Sequence, residues 1–124
     1  MEPHELKYYL RQMFYGTENY YKHMNVLLTD GAKFLAEEGK CFWLMDVVAS
    51  YQAELLKKGC EFQLWNIKVD KDKKATITCR EDSGVPPVVT QVVEYTDFPL
   101  DEYEFYGIYD YFYKKTVVML KGEY

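Results

Sequence analysis

The chain has 124 residues, of which 48% are hydrophobic and 28% charged, with a formal net charge of −5. That length suits one ordinary domain with its own core, the composition excludes a disordered chain, and net acidity without a basic stripe argues against direct nucleic-acid binding. The three cysteines, Cys41, Cys60 and Cys79, are odd in number and make no CxxC pair. This excludes a disulfide framework and a paired-ligand zinc site, and predicts reduced thiols in a cytoplasmic protein.

MEPHELKYYLRQ carries acids early and has no apolar h-region, so no signal peptide is expected, and no window approaches a membrane span. Residues 3–14 are predicted to be helical, with Pro3 in the first turn and Leu6, Leu10 and Met13 at helical spacing. Gly16 and Thr17 break that pattern. Thr17 as N-cap and Glu18 in a first turn predict a short helix over 18–25. TDGAKFLAEEG predicts another over 29–38, capped by Thr29 or Asp30 and ended by Gly39. CFWLMDVVASYQAELLKKG predicts the main core helix, 41–58, buried on most sides. Its stripe is Trp43, Val47, Ser50, Tyr51 and Leu55, widened by Leu44 and Val48, and Gly59 ends it.

The second half is strand-like. Strands over 61–69 and 74–81 flank the Asp/Lys turn of KVDKDKK, which reads as a solvated hairpin tip. In the second strand Ala75, Ile77 and Cys79 face one way and Thr76, Thr78 and Arg80 the other. Further strands are expected over 88–96, 102–109 and 115–120. The predicted architecture is a single α+β domain spanning 1–124, with N-terminal helices packed on one face of a mostly antiparallel sheet of about five strands.

Two regions stand out as candidate sites. Asp46 is a lone acid in an apolar helix, so it needs a hydrogen-bond partner such as the Trp43 indole, or a cleft in which its pKa is raised. A pocket between that helix and the sheet would gather Trp43, Asp46, Tyr51 and Trp65. The second region runs from Glu94 to Asp110, which holds six acids, four tyrosines and no Lys or Arg. It alone carries −6, which leaves +1 for the remaining residues. Its candidate contact residues are Glu94, Asp97, Asp101, Glu102, Tyr103, Glu104, Tyr106, Tyr109 and Asp110. Both faces of DEYEFYGIY are amphipathic, which fits an edge strand protected by charge, or an interface. His4 and His23 lie in no triad pattern, the seven glycines are scattered singly, and no catalytic residue, cofactor or metal is expected.

Several fragments together resemble a family of small bacterial, plasmid and phage proteins carried as a domain of unknown function. They are GTENYYKH (Gly16–His23), TDGAKFLAE (Thr29–Glu37), WLMDVVASYQ (Trp43–Gln52), FQLWNIKV (Phe62–Val69), YTDFPL (Tyr95–Leu100) and the terminal LKGEY. The resemblance covers about residues 16 to 124 and implies a cytoplasmic bacterial or mobile-element protein, with no catalytic residue to carry over. YEFYGIYDYFYKK departs from it, since a plainer hairpin is expected there.

Three functions stay open. The first is a non-catalytic protein-interaction module whose partner is another protein or a second copy, with no membrane involved. The second is an acidic mobile-element inhibitor that imitates nucleic-acid charge against a host defence enzyme, of anti-restriction or anti-CRISPR type. The third is a small-ligand binder or enzyme using the pocket at Trp43, Asp46, Tyr51 and Trp65.

Overall fold

Helix α1 (Pro3–Gln12) is followed by β1 (Tyr20–His23), β2 (Val26–Thr29), α2 (Asp30–Glu38), α3 (Phe42–Ser50) and α4 (Gln52–Lys57) in the computed structural model, which describes residues 1–124. Strands β3 (Phe62–Val69), β4 (Ala75–Arg80), β5 (Val89–Val93), β6 (Glu102–Asp110) and β7 (Lys115–Met119) then complete the sheet, and a 3-10 turn, Lys121–Glu123, ends the chain.

The expected N-terminal features are recognisable. Pro3 opens α1. Thr29 caps α2 by accepting a hydrogen bond from the Ala32 N–H, and Gly39 ends it. The long helix is divided at Tyr51 (φ −95°, ψ −4°). After α4, the Gly59 N–H donates to the Leu56 carbonyl and the Cys60 N–H to that of Leu55, a Schellman motif that Gly59 accommodates at φ +81°. The buried face of α3 and α4 holds Leu44, Met45, Val48, Ala49, Gln52 and Leu55. It is rotated from the predicted stripe. Trp43 and Val47 are half-buried, and Ser50 is exposed.

Residues 18–25 are not helical. They form β1 and the turn into β2, with Met24 at φ +52°. Thr17 does not cap a helix; its hydroxyl accepts from the Asp30 N–H and donates to the Asn19 carbonyl. Strand β2 is buried at all four positions and pairs in parallel with β7. A strand covered on both faces reads as an unbroken apolar run without period-two alternation, which is why VLLT gave no strand signal.

The sheet therefore has seven strands, not about five, in the order β1-β2-β7-β6-β3-β4-β5, and it is mostly antiparallel as expected, with β2–β7 its one parallel pair. This overturns the edge-strand reading of residues 102–109: β6 is interior, hydrogen-bonded to β3 on one side and β7 on the other. Its acids cannot serve as edge protection, and the edges are β1 and β5.

One core joins the helices to one face of the sheet. Trp65, Ile67, Ala75, Ile77, Cys79, Phe105 and Val118 pack there against Leu6, Leu35, Leu44, Met45, Val48 and Leu55. The alternation predicted for β4 is present, with Ala75, Ile77 and Cys79 fully buried. The opposite face carries Phe62, Leu64, Asn66 and Lys68 of β3, the register neighbours of Ile108, Tyr106, Glu104 and Glu102.

Candidate functional site

Where the long helix meets the sheet, the contact is closed by a polar network. The Gln52 and Gln63 side-chain amides bond reciprocally, Gln52 Nε2 donating to Gln63 Oε1 at 2.8 Å and Gln63 Nε2 to Gln52 Oε1 at 2.9 Å. Trp65 Nε1 donates to Gln63 Oε1 at 3.0 Å and the Thr116 hydroxyl to Gln52 Oε1 at 2.6 Å. The remaining amide hydrogens reach the carbonyls of Val48 and Cys60. All four side chains are buried. Gly107 lies against them: a Cβ there would stand 3.0 Å from Gln63 Oε1 and 3.3 Å from Trp65 Nε1. Bonded throughout, the network ties α4, β3 and β7 together.

Of the four predicted pocket residues, Tyr51 and Trp65 come together, with ring centroids 6.4 Å apart. The Tyr51 hydroxyl donates to Gln91 Oε1 at 2.9 Å. Asp46 is neither buried nor bonded to the Trp43 indole. It lies on the exposed side of α3, and its Oδ1 is 2.7 Å from His23 Nε2 on β1. His23 also stacks on Phe42, with centroids 5.8 Å apart. Sequence reasoning missed this pair because 23 positions separate the partners, and because 18–25 was read as helix. None of the cavities of about 310 to 660 Å³ is lined by Trp43, Asp46, Tyr51, Trp65 or His23. The largest, about 660 Å³, is an open groove between α1 and β6, with Lys7 and Arg11 on one side and Glu102, Tyr103 and Glu104 on the other.

The nine candidate contact residues are dispersed. Glu94 and Asp97 lie in the β5–β6 connection, where the Tyr95 hydroxyl donates to Asp97 Oδ1. Asp101 immediately precedes β6. Tyr103 is directed to the helix side of the sheet, and burial pushes its hydroxyl pKa well above the usual tyrosine value. Tyr106 is on the opposite face, packed between Phe62 and the terminal Tyr124. Three of the acids face lysines: Glu102 is opposite Lys68, Asp110 opposite Lys115, and Glu104 is ion-paired with Lys121. At about 3.4 Å per residue, the strand holds Glu102 and Asp110 more than 20 Å apart.

At the far end of β6 the aromatics do converge. Asp110 Oδ1 accepts from the N–H groups of Phe112 and Tyr113, which shapes the β6–β7 turn, and Lys114 takes φ +57°. The turn exposes Tyr111 at 70%, Phe112 at 84% and Tyr113 at 48%. Its rings are arranged edge-to-face: Tyr109–Tyr111 at 5.0 Å, Phe112–Tyr113 at 4.9 Å, and Tyr113 on Tyr20 of β1 at 5.4 Å. The Tyr111 hydroxyl donates to Glu61, a bond that raises its pKa, while burial and then Asp110 raise that of Tyr20. Sequence reasoning included Tyr109 and Asp110 but stopped before Tyr111–Tyr113. The signal was the run DYFYKK itself, an aromatic triplet in a turn where Gly, Asn or Asp is usual.

The thiols are shielded. Burial pushes those of Cys41 and Cys79 up to about 12, and Cys60 is raised for the same reason. The chain contains no group of three or more His, Cys, Asp or Glu side chains able to hold a metal ion. No helix is long and apolar enough to cross a membrane.

A family model described as "Family of unknown function (DUF6876)" matches residues 4–124. No curated protein and no solved structure matches the chain.

Proposed function

The chain belongs to DUF6876, a family of unknown function, and we propose that it is a non-catalytic protein-interaction module whose contact surface is the aromatic β6–β7 turn. The observation behind this reading is Phe112, 84% exposed between two further exposed rings. A phenylalanine at a turn tip leaves apolar surface in water with no gain to folding, whereas a partner's hollow would bury it at roughly 25 cal/mol per Å². Tyr111, Tyr113 and Tyr20 flank it with apolar ring faces and polar tips, the composition favoured at interface centres. Exposed Lys22 and Lys114 suit a partner with an acidic rim.

The acidic-inhibitor reading loses support. Three of its six carboxylates face lysines, and the set extends along the whole of β6. The pocket reading is weakened by the closed Gln52–Gln63–Trp65–Thr116 contact. The test is affinity capture from a bacterial lysate with the unaltered chain, F112A and Y111A/F112A. A partner retained by the unaltered chain and lost with both variants, while each variant keeps its fold, supports the proposal. Equal capture by all three removes it.

A further inference from the structure

The two edges of the sheet are built differently. Strand β1 has four residues, carries the exposed Lys22, and ends in His23, which is tied to Asp46, while Tyr20 lies against Tyr113 of the β6–β7 turn. Strand β5 has β4 as its only strand neighbour. With the preceding Val88 it reads VVTQVV, without a charge, proline or glycine. Val88 is 39% and Val92 48% exposed. Along its outer side, alternate backbone N–H and C=O groups have no strand to pair with, the arrangement that invites sheet addition.

We propose that β5 is the edge through which two copies of this chain associate, pairing antiparallel with its equivalent about a two-fold axis at Gln91. The proposal is independent of the aromatic turn and uses a different edge of the sheet.

The sequence of β5 is close to self-complementary about Gln91. With the two Gln91 residues opposite each other, Thr90 faces Val92 of the second copy and Val89 faces Val93. Each pair joins residues that favour strands, and no charge meets another although each copy carries −5. An uncharged edge gives a foreign strand no electrostatic handle, whereas a second copy matches it in length and side chains. In this register Val88 would face Glu94, whose charge, with Pro87 beyond lacking an N–H, limits the pairing to Val89–Val93. Tyr51 reaches this edge through Gln91, and Val47 and Trp43 continue its side of α3 half-buried, so an apolar surface adjoins the strand on the helix side.

The other edge decides how far association goes. Pairing of β5 with β1 of a second copy would leave a β5 free and grow a filament. Lys22 and the short length of β1 discourage it. Pairing of β5 with β5 consumes the unprotected edge of both copies and closes at a dimer. The axis is perpendicular to the sheet, so both helix layers lie on the same side and the two aromatic turns project from opposite ends.

The test is sedimentation velocity on the full chain from low to high micromolar concentration, with V92K, T90D/V92K and F112A, each checked for fold by far-UV circular dichroism. The unaltered chain and F112A are expected to dimerise, and V92K to weaken dimerisation at least about tenfold, since it places a charge on an exposed position of the edge. In T90D/V92K the register sets each new carboxylate opposite a new ammonium, and dimerisation returns. A strict monomer, an open-ended polymer, or a dimer indifferent to V92K would overturn the proposal. Partner capture through the aromatic turn is read separately on V92K, so either proposal can fail without the other.

Discussion

Glu123 meets Gly31 across 92 positions of sequence: Glu123 Oε2 accepts from the Gly31 N–H at 3.0 Å. Its Oε1 accepts from the Thr29 hydroxyl at 2.7 Å and from the Leu120 N–H at 2.9 Å. The penultimate residue of the chain thus serves as the anionic cap of α2, where free N–H groups and the helix dipole favour a carboxylate. A Cβ on Gly31 would stand 2.4 Å from Glu123 Oε1 and 2.7 Å from Leu120 Cδ1. We expect E123Q to destabilise the fold by about 1 kcal/mol, because a carboxamide cannot accept from all three donors. G31A should cost about 1–3 kcal/mol through the clash. Urea denaturation of the two variants checks both.

The buried amide network should respond sharply to loss of one member. Q63L leaves Trp65 Nε1 without a partner in a dry interior and takes one bond from each polar end of Gln52, which keeps only the Val48 carbonyl and the Thr116 hydroxyl. The expected cost is about 2–4 kcal/mol, with Q52L/Q63L less destabilising than the sum of the single changes. A double-mutant cycle on urea midpoints reads the coupling. Additive losses would show that the four side chains do not act as a unit.

Asp30 gives the fold an acid-side pH dependence. Its Oδ2 accepts from the Glu18 N–H at 2.9 Å and its Oδ1 from the Tyr21 hydroxyl at 3.0 Å. The Glu18 bond is the largest cause of a pKa below the ordinary value of 3.8. A depressed carboxyl pKa stabilises the fold above the unfolded-state value, and that contribution fades as pH falls through the folded one. The stability of the unaltered chain should therefore drop between about pH 4 and lower pH more steeply than that of D30N. Thermal melts across that range test it. Tyr21 has the opposite sign: its pKa is raised by the bond to Asp30, so its contribution is full below pH 10 and fades above it.

Thiol chemistry should be silent in the folded protein. With Cys41 and Cys79 pushed up to about 12, neither holds appreciable thiolate at neutral pH, and all three cysteines are buried. Labelling by a disulfide reagent is expected to follow the unfolding rate, and to reach three thiols per chain only in denaturant. Rapid labelling of one thiol in native buffer would contradict this.

Much of the architecture was legible in the sequence because local signals agreed with tertiary need. Pro3, Thr29, Gly39 and Gly59 marked helix ends correctly, and ATITCR showed the period of a half-covered strand. What was missed depends on distant partners. VLLT is a strand because β7, nearly ninety residues later, pairs with it in parallel. The acids of β6 resembled edge protection because Lys68, Lys115 and Lys121 lie on other segments. Asp46 reads as a buried acid because its helix is apolar enough to be buried on most sides, whereas it lies on the side of α3 that reaches solvent and meets His23.

The aromatic turn should be neutral for folding. Phe112, 84% exposed, makes its ring contact with Tyr113, so F112A is expected to change stability by less than about 0.5 kcal/mol.

The most direct test of the central claim is quantitative affinity capture with the unaltered chain and F112A at matched folded concentration. The account predicts a specific protein partner whose recovery falls at least about tenfold with F112A, as for an aromatic hot spot at an interface centre. Undiminished recovery with F112A would contradict it, and so would the absence of any specific partner.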